Sequence, residues 1–265
     1  MTTLQIVVLA IVQGLTEFLP VSSSGHLVLV PYLFDWADQG LAFDVAVHAG
    51  SLAAVCVFFR KDIASLLQGA AQVLGGNVKT TESRMALGIA AATVPAAAAG
   101  LMFASWLEAN LRDPLVIVYT LAGYGVVMAV ADRVGRREKV LADFGIKEAF
   151  IVGCAQALSL IPGTSRSGVT ITAARFLGFK RHDAARFSFL LSAPVILLAA
   201  GYKFVELLMS DVVVAWGQLA LGALLSCVVA YISIEFFMRV VSRIGLVPFA
   251  VYRLILAVVI LYALV

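Results

Sequence analysis

Two short polar motifs interrupt an otherwise apolar chain, and their residue types are those of acid–base chemistry and anion binding. The first motif, residues 13–26, has the sequence QGLTEFLPVSSSGH, and the second motif, residues 156–168, has the sequence QALSLIPGTSRSG. In both motifs twelve positions separate the opening Gln from the closing Gly, with a proline near the middle and hydroxyl side chains after it. Ionisable groups and helix breakers are costly in apolar surroundings unless they line a buried or wet cavity. The pair of motifs therefore predicts a functional site.

The first motif contains the only carboxylate of the two motifs, Glu17. Gln13 lies four residues before it, so the two side chains share one face of a helix. The position that matches Glu17 in the second motif is Leu160, which indicates that the motifs have diverged in role. A structural carboxylate paired with a nearby cation is the simpler alternative, but an ionisable group at membrane depth favours function.

A helix break and three hydroxyls follow that carboxylate. Ser22, Ser23 and Ser24 come after the proline, and at least one of them is expected to cap the next helix. His26 lies nine residues after Glu17 and can face it across the break. A single histidine is more often a packing residue, yet this one is a candidate nucleophile or acid–base group near neutral pH.

The second motif is typical of an anion cradle. Gly163 frees the backbone, and the N–H groups of a new helix point at whatever lies before it. Thr164, Ser165 and Ser167 add hydroxyl donors, and Arg166 offers a planar fork that matches phosphate oxygens. The alternative is that Arg166 only neutralises the carboxylate of the first motif, and both roles are compatible.

The remaining polar residues carry weaker signals. Glu235 and Arg253 lie near the ends of adjacent apolar segments and are expected to pair with each other. His48 lies about one turn inside its segment, where packing is favoured slightly over a place in the site. The cysteines have no paired spacing and are expected to be buried apolar side chains rather than disulfides or metal ligands: Cys56, Cys154 and Cys227.

The composition is that of an integral membrane protein. Of the 265 residues 62% are hydrophobic and 13% charged, and the mean hydropathy is +1.01. A soluble core of this size would need far more polar surface to cover it. The net charge of +3 indicates no nucleic-acid partner. The N-terminus lacks the basic region of a cleavable signal, so residues from Leu4 onward are expected in the mature protein.

Hydropathy predicts an all-α protein with two similar halves. Six stretches approach the roughly 20 residues that a spanning helix needs, namely Leu41–Phe59, Met85–Phe103, Pro114–Ala131, Ala184–Tyr202, Val212–Phe237 and Leu246–Val265. Two further apolar zones, Leu4–Leu33 and Ala149–Leu177, are each split by a motif and predict re-entrant helix pairs. A re-entrant pair and three spans thus occur twice, and the odd number of spans makes the second copy inverted. The expected organisation is one membrane domain, with repeats over 1–131 and 149–265 joined by a basic cytoplasmic loop over 132–148.

The distribution of basic residues predicts the orientation. Fifteen of the 19 Lys and Arg residues lie in segments on one side of the predicted spans, whereas only Arg112 and Lys203 lie in segments on the other. The positive-inside rule makes the first side cytoplasmic. Both termini are then outside, with the first helix pair entering from the outer face and the second from the cytoplasm.

Both motifs resemble those of the bacterial undecaprenyl-diphosphate phosphatase family of the bacitracin-resistance type, and the resemblance extends along essentially the whole chain. It implies removal of the terminal phosphate from undecaprenyl diphosphate, which recycles the lipid carrier for peptidoglycan synthesis. It also implies a multi-pass inner-membrane enzyme whose site faces the periplasm and uses a divalent cation, Mg²⁺ or Ca²⁺. By motif position, Gln13 and Glu17 match the acidic motif, Ser23 and His26 the serine–histidine motif, and Arg166 the phosphate motif. Many relatives have a second Glu at the position of Gln13, so here Glu17 is expected to serve alone.

The residues permit a mechanism and two alternatives. Arg166 and the loop amides would hold the phosphates, with Ser22, Ser24 and the hydroxyls of the second motif as further donors, and Glu17 would orient the cation. The nucleophile is His26, which we prefer, or a water molecule or the Ser23 hydroxyl.

A polyprenyl-phosphate carrier could use the same inverted-repeat architecture, but it needs no Glu17 and His26 pair. A scaffold without a small-molecule site is the other alternative. An exposed face of small residues is compatible with a homodimer.

Overall fold

The computed structural model describes residues 1–111, 113–209 and 215–263. In this part of the chain the only extended pairing is an isolated bridge between Lys139 and Phe179, and the fold is otherwise helical. The α-helices are α1 (Thr3–Thr16), α2 (Ser23–Leu33), α3 (Leu41–Phe58), α4 (Arg60–Leu74), α5 (Thr81–Asn110), α6 (Pro114–Val134), α7 (Ile146–Ala157), α8 (Arg166–Phe176), α9 (Arg181–Leu208), α10 (Trp216–Ile244) and α11 (Val247–Ala263). The prediction of an all-α protein is confirmed.

Five of these helices, α3, α5, α6, α9 and α10, are long and apolar enough to cross a membrane. They correspond to five of the six predicted spans, which confirms a multi-pass membrane protein. The predicted span over 212–237 begins outside the described residues, and its remainder lies within α10. The sixth predicted span, Leu246–Val265, corresponds to α11, and its last two positions lie outside the described residues. Arg112, used for the orientation, also lies outside the described residues.

Each motif separates two short helices, as the split apolar zones predict. Helices α1 and α2 have 14 and 11 residues, and α7 and α8 have 12 and 11. At about 1.5 Å per residue none of them covers a hydrocarbon core of about 30 Å. The interruption has a local cause, because proline removes a helical N–H and the serine ahead of α2 or α8 caps a new helix. Each motif is thus presented at a helix break.

No helix was predicted between the spans Leu41–Phe59 and Met85–Phe103, and α4 occupies much of this segment. It begins after a break at the single residue Phe59 and packs against α5. Gly69 makes this contact possible, since a Cβ there would lie 2.1 Å from the carbonyl oxygen of Glu82. The hydrophobic pattern missed the helix because its apolar residues cover one face only.

Small residues let the helices around the motifs approach closely. Helix α1 packs against α10, and α7 packs against α5 in the same manner. A Cβ on Gly14 of α1 would lie 2.8 Å from the Ser226 carbonyl oxygen, and one on Gly153 of α7 would lie 2.4 Å from that of Ala92. Contacts of this kind are the main source of helix association where lipid supplies no hydrophobic driving force. They seat each motif-bearing helix against a spanning helix.

The largest buried cluster lies directly beside the first motif. Phe18 is fully buried, and its ring packs edge-on against Phe189 with the centroids 5.3 Å apart. Phe59 and Phe237 pack against the same Phe189 ring at 6.2 and 5.6 Å. Because Phe18 follows Glu17 in the chain, this cluster anchors the backbone that presents the carboxylate.

A buried ionic cluster ties the ends of α6, α9 and α11 together. The carboxylate of Asp132 accepts two hydrogen bonds of 2.7 Å from Arg181 and one of 3.0 Å from the backbone N–H of Leu246. Fully buried Arg175 lies 3.6 Å from the same carboxylate and donates to the carbonyl oxygens of Gly135 and Arg136, both at 2.9 Å. The cluster closes the end of the helix bundle through main-chain contacts.

The glycine contact between α3 and α10 gives a prediction about stability. A Cβ on Gly50 would lie 2.1 Å from the Ala223 carbonyl oxygen, whereas one on Gly123 meets nothing within 4 Å. We expect Gly50→Ala to lower the free energy of unfolding by about 1–3 kcal/mol, the usual cost of overpacking. Thermal unfolding in detergent measures the effect, with Gly123→Ala as the matched control. Equal midpoints for the two variants would contradict the packing argument.

Candidate active site

The carboxylate of Glu17 lies at the centre of the site and is almost completely buried. Its Oε2 accepts hydrogen bonds from Gln13 Nε2 at 3.1 Å and from Ser23 Oγ at 2.8 Å. Glu17 follows the last turn of α1, and Gln13 is one turn earlier, so the expected common face is observed. Ser23 begins α2 on the other side of the break. The helix break therefore folds a hydroxyl back onto the carboxylate.

Arg166 connects the second motif to the first. Its Nη2 donates to Glu17 Oε1 at 3.1 Å, and its Nη1 donates to the carbonyl oxygen of Ser188 at 3.2 Å. The guanidinium also lies over the ring of Phe18, 5.7 Å from its centroid. The alternative in which Arg166 neutralises Glu17 is therefore observed, and the contact joins residues 149 positions apart. The two buried charges therefore compensate each other.

The two motifs have nearly identical helix caps. Ser22 caps α2 with φ 76° and accepts from Gly25 N, and Ser165 caps α8 with φ 72° and accepts from Gly168 N. In each motif the cap hydroxyl also pairs with the serine two residues later, at 3.2 Å for Ser24 and 3.3 Å for Ser167. A positive φ is unfavourable for residues other than glycine and is found mostly at functional sites. Both loops are therefore strained at the same position.

The second motif has the geometry of an anion cradle. The backbone N–H groups in the first turn of α8 have no partner within the helix, and the helix dipole favours negative charge there. Gly163 has φ 85°, and a Cβ would lie 2.1 Å from Thr120 Oγ1, which donates to the Pro162 carbonyl oxygen at 2.6 Å. Ser167 donates to the Leu19 carbonyl oxygen at 3.0 Å and so joins the cradle to the first motif. This arrangement suits a phosphate group.

Two buried oxygens at the site have no hydrogen-bond partner in the described structure. They are Oγ1 of Thr164 and Oε1 of Gln13, and both residues are completely buried. Buried polar atoms are nearly always satisfied, so unpaired ones next to a charged centre indicate a place for a polar ligand. Thr164 lies in the anion cradle of the second motif, and Gln13 lies beside the Glu17 carboxylate.

His26 has other partners than the sequence suggested. Its Nδ1 lies 2.7 Å from the Ser22 carbonyl oxygen, and its Nε2 lies 2.7 Å from Tyr252 Oη. A carbonyl only accepts, so Nδ1 carries the proton, and a neutral ring then accepts the Tyr252 hydroxyl proton at Nε2. Among the described residues no hydrogen bond or ion pair joins His26 to Glu17. Both ring nitrogens are already engaged.

Three further residues belong to the site, although the motifs do not include them. His48 lies with Nε2 3.8 Å from Glu17 Oε2, so the slight preference for packing was wrong. Tyr252 holds His26, and Arg253 is fully buried beneath the cradle. The expected pair of Glu235 with Arg253 was also wrong, since Glu235 pairs with Arg239 four residues later. A buried arginine in an apolar span was the only available signal, and its partners are backbone carbonyls that no sequence pattern marks.

The oxygens around Glu17 fit a hard divalent cation. One carboxylate, the unpaired Gln13 Oε1 and the Ser23 hydroxyl are the oxygen ligands that Mg²⁺ or Ca²⁺ prefers. Among the described residues there is no group of three or more His, Cys, Asp and Glu side chains that could hold a metal ion alone. Three donors do not fill the coordination shell of either ion, so further oxygen ligands would have to complete it.

Known proteins resemble this chain along nearly its whole length. The sequence matches the model of the bacitracin resistance protein BacA over residues 6–259. The chain belongs to the BacA family. It is 49% identical over 264 residues to undecaprenyl-diphosphatase 2 of Stutzerimonas stutzeri, with 98% of each chain covered. It is 51% identical over 257 residues to undecaprenyl-diphosphatase of Hahella chejuensis, covering 97% of this chain and 96% of the relative. The family resemblance inferred from the two motifs is confirmed.

The pairing of Glu17 with Arg166 gives a prediction about stability in this BacA family member. Breaking a buried ion pair leaves the other charge uncompensated, so Glu17→Gln and Arg166→Gln should each lower the free energy of unfolding by about 3–5 kcal/mol. The double variant leaves no unpaired charge and should lose clearly less than the sum of the two. Thermal unfolding of all four proteins in detergent measures the coupling. Additive losses would show that the two side chains are not energetically paired.

Proposed function

We propose that this protein hydrolyses undecaprenyl diphosphate to undecaprenyl phosphate and inorganic phosphate, and so recycles the lipid carrier of peptidoglycan synthesis. Family membership and relatives named undecaprenyl-diphosphatase support the reaction. One observation in the structure carries it. The Glu17 carboxylate is hydrogen-bonded to the Ser23 hydroxyl and ion-paired with Arg166, which is the first residue of α8. Glu17 can accept a proton, Ser23 offers a hydroxyl, and Arg166 can bind phosphate. Both Ser23 and Arg166 contact Glu17 directly.

The second motif binds the diphosphate in this mechanism. The free N–H groups at the start of α8 and the unpaired hydroxyl of Thr164 donate to phosphate oxygens, whereas the hydroxyls of Ser165 and Ser167 keep their contacts within the cradle. Arg166 exchanges its carboxylate partner for a phosphate, which it can bind in a bidentate manner. The unpaired Thr164 Oγ1 gains the partner that it lacks. The polyprenyl chain leaves sideways between helices into the lipid.

Glu17 and Ser23 carry out the chemical step. Ser23 Oγ attacks the terminal phosphorus, its proton passes to Glu17, and the bond from that phosphorus to the bridging oxygen breaks. Undecaprenyl phosphate departs with the bridging oxygen. Glu17 first passes its proton to the departing undecaprenyl phosphate. Water then attacks the phosphoserine and gives a proton to Glu17, the bond from phosphorus to Ser23 Oγ breaks, and Glu17 returns that proton to Oγ as inorganic phosphate leaves. The 2.8 Å contact of nucleophile and base, with the base oriented by Gln13 and Arg166, supports this assignment.

This assignment changes the preference for the nucleophile. The sequence alone favoured His26, with Ser23 and water as the alternatives. His26 accepts a hydrogen bond from Tyr252 at the nitrogen that would attack, and its other nitrogen is held by a carbonyl. Phosphorylation of His26 would break the Tyr252 contact first. His26 therefore serves better as a support of the loop that presents Ser23.

A divalent cation, Mg²⁺ or Ca²⁺, is part of the proposal. Glu17 together with Gln13 Oε1 and Ser23 would hold it, and when bound it offsets negative charge on the diphosphate. Because the protein offers only one carboxylate here, it cannot fill the coordination shell of the cation alone. The phosphate oxygens of the substrate would complete it.

We also propose the inverted repeat, with repeats over 1–131 and 149–265 and a connecting loop over 132–148. Several matches support it: the shared caps at Ser22 and Ser165, the buried Gln13 and Gln156, and the equivalent packing of α1 on α10 and α7 on α5. The distribution of Lys and Arg supports a site that opens to the periplasm from the inner membrane.

The lipid carrier is the less favoured function. A transporter of an anionic lipid needs a binding site but no proton acceptor beside a hydroxyl, and the relatives are named as phosphatases. The substrate is a polyprenyl diphosphate and the surroundings are the bilayer. A homodimer and the absence of a nucleic-acid partner both stay predictions.

The proposal predicts the behaviour of the Glu17 and Ser23 variants in phosphate release. With undecaprenyl diphosphate and purified protein in detergent, Glu17→Gln should lower kcat by at least about 100-fold, the usual worth of a positioned base. Ser23→Ala should lose activity to a similar extent, and EDTA should abolish it. Acid-quenched turnover should contain phosphoserine at Ser23, which peptide mass spectrometry detects.

Glu235→Gln is the matched control, because it alters a carboxylate paired with Arg239 away from the site. It should keep the activity of the unaltered protein. Full activity of Glu17→Gln would refute the role of this carboxylate. An active protein without phosphoserine would transfer the nucleophilic role to water. No phosphate release from folded protein with any cation would favour the carrier.

A further inference from the structure

Two consecutive residues of α11 contact the two motifs, one each. Tyr252 Oη lies 2.7 Å from Nε2 of His26 in the first motif. Arg253 donates to the carbonyl oxygens of Gly163 and Thr164 in the second motif, both at 3.0 Å. Helix α11 is distant in sequence from both motifs, and it carries neither a carboxylate nor a serine near the site. Its contribution is made through these two side chains.

Arg253 is a buried cation whose described partners are all neutral. It is completely buried, and besides the two carbonyls of the second motif it donates to those of Thr120 and Leu121, both at 3.2 Å. No ion pair joins it to a carboxylate within the described ranges. Burial of an unpaired charge is expensive, and a purely structural arginine is expected to have a carboxylate partner. Arg175, which is equally buried, has Asp132 in this role.

The carbonyl contacts of Arg253 determine where the amides of the cradle point. A trans peptide holds its C=O and its N–H on opposite sides, and the chain contains no cis peptide among the described residues. The Thr164 carbonyl points at Arg253, so the N–H of Ser165 points away from it, to the open side before α8. Gly168 permits the close approach, since a Cβ there would lie 3.2 Å from Arg253 Nη1. Arg253 thereby orients a phosphate donor without contacting the phosphate.

Tyr252 acts on the first motif through His26. The two rings stack with an angle of 6° between their planes, and the hydroxyl holds Nε2. His26 Nδ1 in turn donates to the carbonyl oxygen of Ser22 at 2.7 Å. Ser22 is the cap with positive φ directly before Ser23. The chain of contacts from Tyr252 therefore ends at the peptide that presents the proposed nucleophile.

We propose that Tyr252 and Arg253 form a clamp that holds both strained caps, Ser22 and Ser165, in the conformation that binds and cleaves the diphosphate. Strained backbone persists only where the surroundings over-determine it, and α11 supplies a fixed contact to each loop. The uncompensated charge of Arg253 also adds positive potential below the cradle, where a diphosphate binds. Both residues are positioning residues, and their role rests on the proposed function.

The test compares conservative variants in the full-length protein. We expect Arg253→Lys, which keeps the charge but not the fork, to lower kcat about 100-fold, in the range for loss of one oriented donor. Tyr252→Phe removes one hydroxyl and should lower kcat about tenfold with little change in KM. The stabilisation of each protein against heat by inorganic pyrophosphate measures the cradle directly. It should weaken strongly in Arg253→Lys and little in Tyr252→Phe.

Arg175→Lys is the matched control, since Arg175 is also a buried arginine that holds backbone carbonyls. It should lower the melting midpoint and leave kcat and the pyrophosphate effect unchanged. The clamp is refuted if Arg253→Lys keeps kcat and the pyrophosphate effect within threefold, or if both arginine variants lose kcat alike. If Arg253→Lys does not fold, Tyr252→Phe decides, and an unchanged kcat refutes the clamp. If the unaltered protein releases no phosphate, the proposed function fails, and the pyrophosphate measurements still decide the clamp.

Discussion

The ion pair between Glu17 and Arg166 is the contact on which the rest of the site depends. It joins two helix breaks that lie 149 residues apart and holds one charge of each sign at a nearly dry position. Neither charge is tolerable there alone, so the fold must bring both loops to one place. The aromatic cluster at Phe18, the glycine contacts of α1 and α7 and the caps at Ser22 and Ser165 all serve this meeting of the loops.

The same pair explains how an apolar protein can contain a site for a highly charged lipid headgroup. Before substrate binds, Arg166 and Glu17 neutralise each other, and Arg253 has its charge spread over four carbonyl oxygens. In the proposed mechanism Arg166 changes partner when a diphosphate binds, and Glu17 is left beside Ser23. Glu17 and Arg166 are thus neutralised as a pair, and the uncompensated charge of Arg253 is held by main-chain carbonyl oxygens.

Much of the fold and part of the site could be predicted from residues alone. The apolar runs gave the spanning helices, and the interruptions at Pro20 and Pro162 gave the helix pairs, because hydropathy and helix breaking are local properties. Gln13, Glu17 and Ser23 were expected near Arg166, and the structure joins them. The role of His26 and the partners of His48 and Arg253 could not be predicted in the same way. Helix α4 was missed because its apolar residues alternate with polar ones, so its sequence is not apolar enough to be recognised as a span.

The sequence by itself determined that this is a helical membrane protein with two matched polar breaks, and it predicted that Glu17, Arg166, His26 and a set of hydroxyls carry the chemistry. Side-chain type and spacing are sufficient for that. Only the tertiary structure decided which groups touch: Ser23 rather than His26 beside Glu17, His48 near the same oxygen, and Arg253 under the cradle instead of next to Glu235. The partners of Arg253 are main-chain carbonyls, which every residue has. Their convergence on one guanidinium depends on how distant helices pack, and no local pattern records it.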